Sequence, residues 1–136
     1  MLTSCGFGAV EVDPYELTPG SAAACAAVVE ALPRVVSDAV RRDVEGEPAG
    51  VAAWGEPPVV LRCGVELPAE YQPDAQLLDV DGIGWLPVDG EGGTFFTVAD
   101  REPFVEVAVP DDYAPEAEVL TDLSEALLAH LSEDAG

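Results

Sequence analysis

The chain has 136 residues, 27 of them Asp or Glu against 5 basic residues, all arginine, for a formal net charge of -22. That sign leaves no basic face for a phosphate backbone and excludes nucleic acid as a partner. A hydrophobic fraction of 49% and a positive mean hydropathy suit a folded domain with an acidic surface rather than a disordered acidic chain.

The length fits one domain, without internal repeats and without an apolar run long enough to span a membrane. At the N-terminus, Leu2-Thr3-Ser4-Cys5 resembles a bacterial lipobox, in which small residues precede a cysteine that becomes the lipidated first residue. The charged and apolar stretches that precede such a site in a signal peptide are not in the sequence. The alternative is an ordinary cysteine near a chain end. Residues 6–18, GFGAVEVDPYELT, keep no period and read as a tether. Residues 1–18 are therefore taken as lipobox and tether, 19–133 as one domain, and 134–136 as a tail.

The domain opens with a helix. Thr18 or Ser21 can cap it, and Pro19 is tolerated in a first turn. Cys25, Val28, Val29, Leu32 and Val36 then fall at helical spacing, with a break at Pro33. Arg41-Arg42 and the following residues read as a loop. Val51–Trp54 predicts a short strand ending at the Gly55-Glu56-Pro57-Pro58 corner. In Val59–Cys63, Val59, Leu61 and Cys63 share one face while Val60 and Arg62 share the other. Leu77–Val88 predicts one strand bent at Gly82 and Gly84. Asp89–Gly93 predicts a hairpin loop into Thr94–Val98. Phe104–Val109 alternates most cleanly, with Val105, Val107 and Val109 on one face. Pro115 can open a last helix, whose Val119, Leu120, Leu123, Leu127 and Leu131 form one stripe. The pattern predicts an α+β domain: a mainly antiparallel sheet of four to five strands, with an N-terminal and a C-terminal helix on one face.

Cys25 and Cys63 both point inward by their local periods. In an oxidising compartment two such cysteines pair, so a Cys25–Cys63 disulfide is expected; the alternative is two separate buried thiols in a cytosolic protein. Three scattered cysteines and one histidine lack the ligand spacing of a zinc site. Asp79-Val80-Asp81-Gly82 begins like a calcium loop, but the fifth position is Ile83, so the match fails. His130 suits the C-terminal end of a helix dipole and has no nucleophile motif to serve. No cofactor motif occurs. Arg62 and Arg101 are rare cations among anions and are expected in ion pairs. Trp54 and Trp85 are core residues by default. The other reading places them with Arg62 along a cleft, and Trp54, Arg62, Trp85 and Arg101 are the candidate binding residues.

Three stretches carry a family resemblance: AAWGEPPVVLRCGV (Ala52 to Val65), VDGIGWLPV (Val80 to Val88) and FTVADREPFVEVAVP (Phe96 to Pro110). With Cys25 and the closing helix, the chain resembles an actinobacterial family catalogued as domain of unknown function 3515. The resemblance implies a secreted or lipid-anchored envelope protein, supports lipidation at Cys5, and supplies no activity. Many members carry a further cysteine before the VDG segment, and none is present here. The expectation is a non-catalytic lipoprotein domain on the outer face of the cell membrane, acting as an accessory or docking protein at an envelope complex. The alternative is a binding module for a small ligand or cell-wall component. A hydrolase lacks a nucleophile-base pair.

Overall fold

The computed structural model describes residues 8–133; Cys5 and the residues on either side of it lie outside them. Helix α1 (Ala22–Ala31) is followed by β1 (Val35–Val36), β2 (Ala39–Arg42), β3 (Val51–Trp54), β4 (Val59–Cys63), β5 (Leu78–Val80), β6 (Ile83–Gly90), β7 (Gly93–Val98), β8 (Arg101–Glu102) and β9 (Val105–Pro110). A 3-10 turn at Asp111–Tyr113 leads into α2 (Ala117–His130) and β10 (Ser132–Glu133). The fold is α+β. Its main sheet has eight strands rather than four or five, in the order β1-β2-β3-β4-β9-β7-β6-β5, and β10 pairs separately with β8. All these pairings are antiparallel.

Three sequence readings account for the extra strands. Arg41-Arg42 belongs to β2, where Arg41 pairs with Trp54 and Arg42 with Ala53. Leu77–Val88 is two strands, because Asp81 and Gly82 both take positive φ (56° and 86°) and close a two-residue hairpin. That geometry matches the right-handed strand twist, and Asp-Gly adopts it readily. Val36, placed on the helical stripe by its spacing, is instead a buried residue of β1. α1 ends at Ala31, ahead of Pro33, whose ring cannot continue the helix. Asp89–Gly93 is shorter as a loop than expected: Gly90 pairs with Gly93, so only Glu91 and Gly92 turn the chain.

Both helices cover one face of the sheet. Cys25 and Val28 of α1, with Val119, Leu120, Leu123 and Leu127 of α2, pack on Trp54, Leu61, Trp85, Val98 and Val107 in a single cluster. The backbone N–H of Ser37, in the β1–β2 turn, donates to Asp122 Oδ2 of α2 at 2.8 Å, which fixes the edge hairpin against the helix. A smaller cluster on the opposite face joins Val10, Val44, Val51 and Ala53 to Val12, Tyr15 and Val60. Part of the segment read as a tether therefore packs on the sheet: Val10 is buried and bridges Val44, and the Thr18 N–H donates to the Gly64 carbonyl at 2.8 Å.

Candidate functional site

Cys25 of α1 and Cys63 of β4 form a disulfide, with Cα atoms 5.5 Å apart and both residues fully buried. Gly64 lets the helix close on the strand. It holds φ at +84°, and a Cβ there would come within 2.8 Å of Ser21 Oγ and 3.3 Å of Cys25 Sγ.

The two tryptophans do not form a cleft. Trp54 and Trp85 are each 0% exposed, on strands four positions apart in the sheet, which is roughly 19 Å at ordinary strand spacing. Trp54 Nε1–H donates to the Pro33 carbonyl at 3.0 Å, as a buried indole does when a partner is in reach. Arg62 projects from the opposite face, since its neighbours Leu61 and Cys63 point into the core. Arg101 lies in the small second sheet, opposite Glu133 of β10, with a guanidinium-to-carboxylate distance of 3.6 Å. Of the four candidate binding residues, only Arg62 lines the open face of the main sheet.

That outer face holds a groove of about 470 Å³, with Glu11, Asp13 and Glu70 among its lining residues. Strand register lays its floor out in two rows. Val60, Ala108, Phe95 and Val88 are successive cross-strand partners on β4, β9, β7 and β6, and Arg62, Glu106, Thr97 and Leu86 form the next row. Arg62 Nε and Nη2 both reach Glu106 Oε1, at 3.0 and 2.9 Å. On its other side the guanidinium stands 5.0 Å from the Tyr15 ring centroid. Tyr15 donates its hydroxyl hydrogen to the Cys63 carbonyl at 2.6 Å. Burial pushes the Tyr15 pKa up; Arg62 and the hydrogen bond oppose this, and Glu106 adds to it.

Chemically, the groove offers an aromatic surface at Phe95, 40% exposed, beside acceptors on Glu106, Glu11, Asp13 and Glu70. Carboxylates only accept hydrogen bonds. The surface therefore suits a partner with an apolar or planar face and donor or cationic edges. Phe95 and Tyr15 were not singled out from the sequence. Phe95 faces away from Phe96 by simple alternation, a signal the sequence does carry, whereas Tyr15 is placed only by long-range contacts. Among the described residues no cluster of three or more His, Cys, Asp or Glu could hold a metal ion. No described helix is long and apolar enough to cross a membrane.

A family model described as a protein of unknown function, DUF3515, matches residues 3–135. The chain belongs to the DUF3515 family. No curated protein and no solved structure matches it. The matched residues include the disulfide, the eight-stranded sheet and both helices.

Proposed function

We propose that this DUF3515 protein is a non-catalytic, extracytoplasmic binding domain, lipid-anchored through Cys5 to the outer face of the cell membrane. There it serves as an accessory or docking protein at the envelope. The observation that carries this reading is the buried Cys25–Cys63 disulfide, because structural disulfides persist in oxidising compartments and are rare in the cytosol. The Leu2-Thr3-Ser4-Cys5 stretch supports the anchor. The surface is too acidic to gain from anionic headgroups, so membrane association has to come from lipid or from a protein partner.

Binding rather than catalysis is supported by the disposition of the reactive groups. His130 is exposed at the end of α2, and two of the three cysteines are joined to each other. The docking face is the outer groove, which Phe95, exposed to 40%, lines together with Glu11, Asp13, Glu70 and Glu106. Its concave shape also favours a second reading, a small donor-bearing ligand seated on Phe95 in place of a protein partner.

Fractionation of host cells producing wild-type or Cys5→Ala protein tests the anchor. The reading expects wild type in the membrane fraction and the variant released, still folded and oxidised. A variant that stays fully with membranes through a high-salt wash would contradict it.

A further inference from the structure

Three of the five arginines, Arg34, Arg41 and Arg42, gather at the β1–β2 edge of a chain carrying 27 acidic residues. The Arg41 N–H donates to the Arg34 carbonyl at 2.7 Å, one step beyond the Val35 and Val40 pair, so the two residues stand opposite each other across the hairpin. By alternation both project to the face that carries Val36 and Ala39. Like charges opposed on neighbouring strands are destabilising, and in so acidic a chain carboxylate partners are plentiful. Yet among the described residues neither Arg34 nor Arg41 makes an ion pair, while Arg42 is engaged by Glu56 at 2.8 Å.

Arg41 is held in place. Its guanidinium carbon lies 5.5 Å from the centroid of the buried Trp54 ring. Burial, and after it the charge of Arg34, lowers the Arg41 pKa. Arg34 and Arg41 line a pocket of about 420 Å³, with Val29, Val51, Asp43 and Glu47 also lining it. Pockets of this size take small ligands.

We propose that this pocket binds the oxyanion of a small ligand, a carboxylate or a phosphate group, bridged between the guanidiniums of Arg34 and Arg41. A planar guanidinium meets two oxygens of one anion through parallel N–H donors, and an oxyanion between two of them removes the repulsion. Asp43 and Glu47, with the overall charge, hold the ligand to a single anionic group and keep polyanions out. Val29 and Val51 receive its apolar part. The site is separate from the outer groove and does not depend on where the protein resides.

The test uses the oxidised 136-residue chain, labelled with ¹⁵N, titrated with sodium phosphate and separately with sodium acetate at constant ionic strength. The Trp54 indole N–H and the arginine Nε–H resonances report the site. The expected result is a saturable shift with at least one probe, weakened at least tenfold in Arg34→Gln. Arg34 is exposed, so this variant keeps the fold, which its amide spectrum verifies. Arg41→Lys, which keeps the charge and loses the planar fork, should also weaken binding. Saturation by phosphate alone marks a phosphate ligand, and saturation by acetate alone marks a carboxylate. Linear shifts with both probes, or equal affinity in Arg34→Gln, would overturn the proposal.

Discussion

The Tyr15 hydroxyl and the Cys63 carbonyl, 48 residues apart in sequence, are joined by a 2.6 Å hydrogen bond. It pins the N-terminal segment to the disulfide-bearing strand. The Tyr15 ring also covers the Arg62 guanidinium, so one side chain supports both the disulfide strand and one wall of the groove. Tyr15→Phe keeps the ring and deletes the donor. A part-buried hydrogen bond contributes about 1 kcal/mol net, so urea unfolding should show a loss of that order, with earlier proteolysis ahead of residue 18. Unchanged stability and unchanged cleavage would show that the bond does not hold the segment.

Alkaline pH tests the same contact through its proton. Burial raises the pKa of Tyr15 and of Tyr113 above the ordinary 10.0; at Tyr113, Asp112 and Glu56 add to the effect. A raised folded pKa favours the protonated form in the native state. The stability it contributes is therefore fully present below about pH 10 and is lost as pH rises through the folded values. Tyrosinate absorbance should show a component titrating above 10, reduced in Tyr15→Phe and again in Tyr113→Phe. Titration of both residues at 10.0 would contradict their burial.

The regular half of the fold is legible in the sequence. Val59–Cys63 and Val105–Val109 alternate because one face of each strand meets the helices, and the α2 stripe keeps its spacing for the same reason. What escapes sequence reading is short or placed from a distance. β1 has two residues and β5 three, too few to show a period. The two arginines at the end of β2 look like loop because their charge masks a strand at the sheet edge. Asp81-Gly82 does carry a hairpin signal, hidden by the long β6 that follows it. Val10, Tyr15 and Leu17 pack as single residues against the sheet clusters, so no local pattern marks them. The site divides in the same way: the outward direction of Arg62 follows from alternation and the core default for both tryptophans holds, whereas their separation across the sheet is set by the eight-strand order.

The disulfide links residues 38 apart. Closing a loop of that length stabilises by about 4 kcal/mol on the chain-entropy model. Cys25→Ser with Cys63→Ser should lower stability by that order, whether unfolding is driven by heat or denaturant. In the denatured, unreduced wild type, one free thiol is expected, from Cys5 of the unlipidated chain. Three free thiols would refute the bond.

Salt should stabilise the fold. At a net charge of -22 the native surface repels itself, and ions screen that repulsion over about 10 Å at 0.1 M. The melting temperature should climb from dilute buffer to molar NaCl. A flat or falling trend would mean that local ion pairs such as Arg62 with Glu106 outweigh the global repulsion.

Extracytoplasmic anchoring at Cys5 is the central claim, and intact mass spectrometry of the protein purified from host membranes tests it most directly. The account predicts a mature chain whose first residue is Cys5 carrying acyl-chain mass, with Cys25 and Cys63 two hydrogens lighter than free thiols. A chain with unmodified Cys5, still joined to the residues before it, would contradict the account.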